Sequence, residues 1–258
     1  MAYVIGVDCG TSGTKTVLFD EKGSVIASKT IEYPMYQPKN GYAEQEPADW
    51  ANAMIETVKA VMAKSGVKKE DVKGIGISGQ MHGLVMLDKD NNVLRRSIIW
   101  CDQRTAAEVE EMNRIVGRDK LVEITANPAL TGWTAAKILW VKNNEPEVYS
   151  KVAHILLPKD YLRLILTGEY ATEVSDASGM QLLDVPNRKW SDELLTAFEI
   201  DKSWLGKVHE SCEVTGTLTK KMAETLGLCE GTIVVGGAGD NAAAAIGTGT
   251  SNNGKCNI

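Results

Sequence analysis

Two absences in this 258-residue sequence exclude whole classes of protein. It contains no block of clustered Lys and Arg, and its net charge is −6, so a nucleic-acid-binding surface is not expected. No apolar run approaches membrane-spanning length, and the first one, residues 2–7, is followed at once by Asp8 instead of signal-peptide features. We therefore expect no membrane partner.

Cysteines are few and scattered. The five cysteines form no CxxC pair and no His/Cys cluster, which argues against both a disulfide framework and a zinc site. Unpaired cysteines favour a reducing, cytoplasmic compartment. With 43% hydrophobic and 24% charged residues, the composition is instead that of an ordinary soluble globular protein with a large core.

Strand and helix patterns alternate along the chain, in the order three strands, a helix, and then further strand and helix pairs. The predicted strands cover 3–10, 15–20, 24–33, 72–80 and 231–240, and the predicted helices cover 46–66, 104–117, 133–144, 158–168 and 241–249. Gly23 and Asn91-Asn92 mark hairpin turns. This order predicts an α/β domain with a mixed sheet. Residues 101–215 are interpreted as a helical insertion that packs on the same core.

The segment YVIGVDCGTSGTK, residues 3–15, places a carboxylate and a loop of small residues after a buried strand. Backbone N–H groups around Gly10, with the hydroxyls of Thr11 and Ser12, can face an anion, and Lys15 adds positive charge. Asp8 suits a magnesium ion or its water shell. The segment is neither a P-loop nor a dinucleotide fingerprint, and taken alone it is equally typical of a β-hairpin with a polar turn.

A second segment of the same kind, VVGGAGDNAAAAIG, runs from a buried strand through glycines to Asp240. A helix predicted from Asn241 puts this carboxylate beside a helix N-terminus, where exposed N–H groups favour negative charge. Helix capping alone would explain Asp240. It would not explain the surrounding glycines and alanines, which let backbone and ligand approach closely.

Several separated segments together resemble the FGGY carbohydrate kinases, within the actin–hexokinase–heat-shock ATPase superfamily. DCGTSGTK resembles the first phosphate motif of the superfamily, and GWTAAKILWVKNN resembles the helical segment of the family. The segments that resemble the xylulokinase branch are GQMHG (79–83), IIWCDQR (98–104), LLPKDYLRLILTGEYATEVSDASG (156–179) and GAGDNAAAAIG (237–247).

The resemblance implies a ribonuclease-H-like fold, with a mixed sheet flanked by helices and a helical insertion. The implied reaction is ATP-dependent phosphorylation of D-xylulose at its 5-hydroxyl, with Mg²⁺. Asp240 would be the general base. The implied phosphate-binding residues are Gly10, Thr11, Ser12 and Lys15, with Asp8 on the metal through water. The implied sugar-contacting residues are Gln80, Met81, His82, Trp100, Asp102 and Asn241.

Ordinary structural roles compete with these assignments. Met81 could fill the core and Trp100 could be a core aromatic. Arg104 is predicted to start a helix in preference to positioning Asp102. The remaining residues expected to serve packing, surface or local pairing are Lys137, Trp140, Lys159, Asp160, His154 and His209.

Kinases of this family have two similar domains with a cleft between them. The resemblance implies that residues 1–247 form the N-terminal, sugar-binding domain, and that residues 248–258 begin a nucleotide-binding domain, with KCNI as its first strand. Such a chain is expected to be almost inactive alone, because closure of both domains assembles the site. Its exposed half-interface is expected to favour self-association, with a homodimer as one outcome.

Three alternative functions remain open from the sequence. The chain could belong to an FGGY kinase for another ketose or polyol, such as ribulose. It could be a non-catalytic sugar-binding module, although such a module needs no general base. An actin-like assembly protein would leave GQMHG unexplained.

Overall fold

A seven-stranded mixed sheet organises the computed structural model, which describes residues 1–250 and 254–256. The strands are β1 (Tyr3–Cys9), β2 (Gly13–Asp20), β3 (Val25–Glu32), β4 (Glu44–Gln45), β5 (Val72–Gly79), β6 (Val85–Leu87), β7 (Ser97–Ile98), β8 (His154–Leu156), β9 (Ala171–Glu173), β10 (Leu183–Asp184), β11 (Lys189–Trp190), β12 (Lys207–His209), β13 (Val214–Thr217), β14 (Ile233–Val235) and β15 (Ala238–Gly239). The α-helices are α1 (Pro47–Ser65), α2 (Ala106–Ile115), α3 (Arg118–Thr125), α4 (Thr134–Asn144), α5 (Pro146–Tyr149), α6 (Pro158–Thr167), α7 (Val174–Ala177), α8 (Asp192–Ala197), α9 (Lys220–Leu226) and α10 (Asp240–Gly247).

The sheet has the strand order β13-β14-β5-β1-β2-β3, with β15 beside the end of β5. Strands β1, β2 and β3 are antiparallel neighbours, as predicted, and Gly23 (φ 80°) lies in the second turn. Strand β5 then pairs parallel to β1, and β14 and β15 pair parallel to β5. The carboxyl ends of β1, β5 and β15 therefore meet at one edge of the sheet.

One face of the sheet is covered by α1 and by the core. Strand residues alternate, so that Ile5, Val7 and Leu18 point into this core. Helix α1 buries its predicted apolar positions there, including Trp50 and Met54. It ends as predicted at Gly66, which adopts a left-handed conformation and donates its N–H to the Met62 carbonyl.

The opposite face is open over part of its width. A cleft of about 610 Å³ lies against Gly6, Val17 and Gly76 of this face, and Ala243 and Ala244 of α10 form part of its wall. The small residues of α10 are the reason that the helix can border the cleft closely. This face carries the charged residues described below.

The helical insertion builds a second hydrophobic core, which differs from the single core expected. Residues of α2, α3, α4 and α8 surround Met86 and Ile98 in this second cluster, with Leu121, Ile138 and Leu194 buried at its centre. Helix α6 alone behaves as predicted, since Leu162 and Leu166 join the main core. The sequence did not indicate α3, α8 or α9, because each is a short helix that packing stabilises more than its own periodicity does.

The late strand predicted over 231–240 is interrupted. Gly236 and Gly237 leave the sheet, and their N–H groups donate to the Glu213 and Ser211 carbonyls. Gly237 has φ 72°, and a Cβ there would lie 1.9 Å from the Ile77 carbonyl oxygen, so only glycine fits. This break changes the direction of the chain just before Asp240.

Two further predictions have specific outcomes. The hairpin at Asn91-Asn92 is present, with Asn91 at φ 67° and Asp88 accepting from the Asn92 N–H. The expected strand KCNI, residues 255–258, lies partly outside the described residues. Among the helices that the structure describes, none combines the length and hydropathy needed to cross a bilayer.

Candidate active site

The loop between β1 and β2 is held from several sides. The Gly10 N–H donates to the Gly13 carbonyl at 3.1 Å, and the Tyr33 hydroxyl donates to the Gly10 carbonyl at 2.5 Å. Gln45 Nε2 donates to the Thr11 carbonyl at 2.7 Å. Because these bonds satisfy the loop carbonyls, its conformation is fixed before any ligand arrives, while Ser12 remains exposed.

Two predicted carboxylates and the predicted lysine line the same cleft. Asp8 on β1 lies opposite Lys15 on β2 in the antiparallel register, and Asp240 faces them from the start of α10. Ser78 Oγ donates to Asp8 Oδ1 at 2.9 Å, and the Asn241 N–H donates to Asp240 Oδ1 at 2.8 Å. The three side chains thus converge as the sequence indicated.

The electrostatics of the cleft single out Asp240. Partial burial raises the pKa of Asp240, and the nearby negative charge of Asp8 raises it further, against the lowering effect of the Asn241 N–H. A carboxylate of raised pKa is a stronger base. Its neighbour Asn241 is exposed in the first turn of α10.

His82 lies just beyond the end of β5, in a left-handed conformation with φ 65°. Its ring stacks on Trp133, with 4.6 Å between the ring centroids, and its Nδ1 lies 2.8 Å from the Gly179 carbonyl oxygen. Burial lowers the pKa of His82 to about 4, so the ring is neutral near pH 7. A carbonyl can only accept, so Nδ1 carries the proton and Nε2 is left as an acceptor.

Met81 lies between this histidine and Asp240. A Cβ on Gly239 would lie 2.9 Å from Met81 Sδ, and one on Gly179 would lie 3.2 Å from Met81 Cε. Met81 therefore lies between Gly239, the residue before Asp240, and Gly179, whose carbonyl oxygen bonds to the His82 ring. Gln80 is buried beneath them, and its Nε2 donates to Gln45 Oε1 at 2.8 Å.

Trp100 and Asp102, the predicted sugar wall, differ in exposure. Trp100 is 48% exposed, so its ring remains available to a ligand, and its Nε1 donates to Thr11 Oγ1 at 2.8 Å, which ties it to the loop between β1 and β2. Asp102 is 0% exposed, and its oxygens accept from Arg104 and from the Ala43 N–H. We therefore correct the assignment of Asp102, because its oxygens are engaged inside the protein. Arg104 positions Asp102 and does not start a helix, since α2 begins at Ala106.

Three charged residues expected on the surface or in packing are wholly buried. Lys137 donates to the His82 carbonyl, and Lys159 and Asp160 pair with each other at 2.7 Å. The last two belong to a buried group that we call the lysine cluster, formed by Lys159, Asp160, Arg163, Glu173 and Asp176.

The lysine cluster lies behind the segment that leads to Asp240. Glu173 caps α7 by accepting from the Ser175 and Asp176 N–H groups, and Ser175 Oγ accepts from the Gly239 N–H at 3.1 Å. Arg163 donates to the Gly236 carbonyl. The cluster thus fixes the segment that leads to Asp240. Of this arrangement, the sequence shows only the charged residues of LPKDYLR, and their pattern predicts the start of an exposed helix.

Comparison with known proteins agrees with this geometry. Residues 3–247 match the family model described as the N-terminal domain of the FGGY family of carbohydrate kinases. The xylulose kinase of Bacillus subtilis is 44% identical over 260 residues, which cover 100% of this chain and 52% of that protein. The chain therefore spans about half the length of the curated relatives it matches.

Two solved structures show the same fold. A xyloylose kinase from Brucella ovis superposes with a TM-score of 0.92 at 39% identity, covering 98% of this chain and 51% of that one. A gluconate kinase from Lactobacillus acidophilus gives 0.90 at 31% identity, covering 96% and 50%. The chain has the actin- and hexokinase-like fold of these sugar kinases, and it belongs to the FGGY family of carbohydrate kinases.

Proposed function

We propose that this chain is the N-terminal half of a xylulose kinase, which transfers the γ-phosphoryl group of ATP to the 5-hydroxyl of D-xylulose. The observation that carries the proposal is the convergence of Asp8, Lys15 and Asp240 in one cleft, with His82 linked to Asp240 through Met81. The similarity to the Bacillus subtilis xylulose kinase supports the choice of sugar.

In this proposal Asp240 removes the proton from the attacking hydroxyl. Its Oδ1 already accepts the Asn241 N–H, so Oδ2 is the oxygen offered to the sugar. As the hydroxyl oxygen bonds to the γ-phosphorus, the bond to the ADP oxygen breaks and the proton passes to Asp240. A positioned base of this kind contributes about 10²–10⁴-fold to the rate.

His82 and Met81 would hold the sugar for that attack. The neutral His82 ring presents Nε2 as an acceptor to a sugar hydroxyl, which distinguishes a hydroxyl donor from a group that only accepts. Met81 would give the carbon skeleton an apolar contact beside Asp240. Asn241 completes the expected sugar-contacting set, whereas Gln80 is 0% exposed and donates to Gln45 Oε1, so we withdraw Gln80 from that set.

The residues of the cleft fit a magnesium ion and a phosphate. Magnesium prefers one or two carboxylates together with phosphate and water; Asp8 would supply the carboxylate, near enough to Asp240 for its charge to raise the pKa of Asp240. Bound there, the ion would neutralise charge on the transferred phosphoryl group. Lys15, Thr11, Ser12 and the N–H groups around Gly10 would hold the phosphate oxygens.

The second half of the protein would supply the adenosine pocket and close over the cleft. We therefore expect the 258-residue chain alone to release ADP from ATP and xylulose very slowly in a coupled assay. Ordinary kinase turnover from this chain would contradict the division of the site between two halves. A cytoplasmic location and a homodimer, formed through the exposed half-interface, are further parts of the proposal.

Calorimetric titration of D-xylulose into this chain and into His82→Ala tests the proposed sugar site, with D-ribulose as the control sugar. Saturable binding of xylulose that the variant loses is the expected result. Preferential binding of ribulose would favour the alternative of a different ketose kinase. Undiminished xylulose binding by His82→Ala would contradict the proposed site.

A further inference from the structure

Helix α4 and the residue before it hold His82 by three contacts. Lys137 Nζ donates to the His82 carbonyl oxygen at 2.7 Å, and Thr134 Oγ1 donates to the same oxygen at 3.2 Å. Trp133, which immediately precedes the helix, stacks on the ring. Thr134 and Lys137 are three residues apart, so their side chains lie on one face of the helix and meet one acceptor.

The backbone of His82 needs such support. A residue with a Cβ rarely adopts φ 65°, and it stays there only where its surroundings hold it. The two donors on its carbonyl fix the orientation of the peptide that follows His82. Since ring and carbonyl are parts of one residue, fixing the peptide also limits where the ring can lie.

Lysine is an unusual residue at a buried position whose only requirement is a side chain that fills the space. Lys137 is 0% exposed, and burial lowers its pKa to about 7 in spite of the opposing charge of Asp102. Met or Leu would fill the same space without burying an amine. What Lys137 brings, and Met or Leu could not, is a second donor to the His82 carbonyl beside Thr134.

We propose that Lys137 is a positioning residue of the sugar site: its bond to the His82 carbonyl holds the ring against Trp133 and the Gly179 carbonyl, and so keeps Nε2 as the acceptor. The identity of the ligand rests on the proposed function. The positioning of the ring does not, and it can be measured without any sugar.

The test uses the 258-residue chain labelled with ¹⁵N-histidine, in which the ring nitrogens of three histidines are observed. The variants His154→Gln and His209→Gln assign the signals. In the unmodified chain we expect His82 to show one neutral tautomer, protonated at Nδ1, from pH 5 to pH 8. In Lys137→Met we expect loss of this single tautomer, with averaged ring shifts and titration near the ordinary histidine range.

Lys142→Met is the matched control, because Lys142 lies on the same helix but pairs with the exposed Glu199. It should leave the His82 signals unchanged. A folded Lys137→Met chain whose His82 ring keeps the single Nδ1-protonated tautomer would overturn the proposal. If Lys137→Met does not fold, Thr134→Val should shift the same signals, and Thr134→Ser, which keeps the hydroxyl, should restore them; unshifted signals in Thr134→Val would then overturn it.

Adding D-xylulose separates this inference from the proposed function. A xylulose-dependent shift of His82 Nε2, with no release of the ring in Lys137→Met, would overturn the positioning role and leave the sugar site intact. Release of the ring in Lys137→Met, with no effect of xylulose on Nε2, would support the positioning role and count against His82 as a sugar ligand.

Discussion

The two ends of the candidate site differ in how firmly their side chains are held. At the cleft, Asp8 and Asp240 are exposed, and each accepts a hydrogen bond from a neighbouring donor, Ser78 Oγ or the Asn241 N–H. Around His82, the ring is stacked, Nδ1 is bonded and the carbonyl accepts two donors. The difference indicates that the side chains around His82, the proposed sugar end, are pre-organised, whereas those at the cleft, the proposed phosphate end, keep their charges available for a ligand.

Pre-organisation lowers the cost of ordering side chains when a small neutral ligand binds. A sugar brings no charge that could order the site by itself. A phosphate and a metal ion bring strong charges that can orient exposed carboxylates and a lysine on arrival. Substitutions at the two ends should therefore act on different quantities: turnover at the cleft, and folding stability behind the histidine.

The largest effect is expected at the cleft, from Asp240→Asn. In the two-domain kinase this change should lower kcat by about 10²–10⁴-fold, because it removes the base while leaving the shape of the side chain. Affinity for xylulose should change little. Steady-state kinetics and calorimetry measure the two quantities separately.

Asp20→Asn provides the control for Asp240→Asn, since Asp20 lies in the distant turn between β2 and β3 and accepts the N–H groups of Lys22 and Ser24. It should leave kcat unchanged. Full turnover in Asp240→Asn would contradict the base assignment. Absence of turnover in both the unmodified kinase and Asp240→Asn, with equal xylulose affinity in the two, would favour the alternative of a non-catalytic sugar-binding module.

The next largest effect is expected behind the site, from Lys159→Met. This lysine is 0% exposed among the carboxylates of the lysine cluster, so its removal leaves buried negative charge without its partner. The free energy of unfolding should fall by about 3–5 kcal/mol. Urea unfolding measures it, with Lys142→Met, at a lysine whose side chain is 29% exposed, expected to cost about 0–1 kcal/mol. An equal loss of unfolding free energy in the two variants would show that burial of the lysine cluster does not increase its contribution to stability.

A smaller, pH-dependent effect is expected from Asp176. The pKa of Asp176 is raised from 3.8 to about 8, chiefly by burial and also by the carboxylates of Asp160 and Glu173, against the lowering effect of Lys159. Between pH 3.8 and about pH 8, Asp176 is protonated in the folded state and ionised in the unfolded state. The free energy of unfolding should therefore fall as pH rises, by up to about 1.4 kcal/mol per unit, until the group ionises near pH 8.

Asp176→Asn keeps the shape of the protonated carboxyl and cannot ionise, so this slope should be absent from the variant. Urea unfolding of both proteins at pH 6, 7, 8 and 9 gives the comparison. Stability curves that stay parallel over this range would mean that Asp176 is ionised in the folded protein at neutral pH.

The order of the sheet elements was predictable from the sequence, because each signal was local. Alternating apolar residues marked β1, and the helical spacing of Trp50 and Met54 with Gly66 as a stop marked α1. The glycines before Asp240 indicated a backbone conformation that other residues rarely adopt. They did not indicate that the strand is interrupted there. Here local propensity and final structure agree.

The burial of the charged residues was not predictable, because it depends on groups that are remote in the chain as well as on near ones such as Asp160 beside Lys159. Lys137 contacts a carbonyl 55 residues away, and His82 bonds to one 97 residues away. A lysine or aspartate is normally exposed, so the sequence alone favoured the surface for Lys159 and Asp160. Only the fold brings together the groups that make their burial possible. Asp102 is a similar case, because its carboxylate also accepts the N–H of Ala43, 59 residues away, a contact that the sequence does not show.

The smallest effect is expected at Trp100, between the two ends. Trp100→Phe keeps an aromatic ring but removes the donor to Thr11 Oγ1, a bond worth about 0.5–1.5 kcal/mol. Amide hydrogen exchange in the loop at residues 10–13 should therefore become about 2- to 10-fold faster. Trp190→Phe loses an indole donor to the distant Gly206 carbonyl and should leave the loop unchanged. Unaltered loop exchange in Trp100→Phe, together with weaker xylulose binding in Trp100→Leu, would instead return Trp100 to the sugar wall that its sequence context suggested.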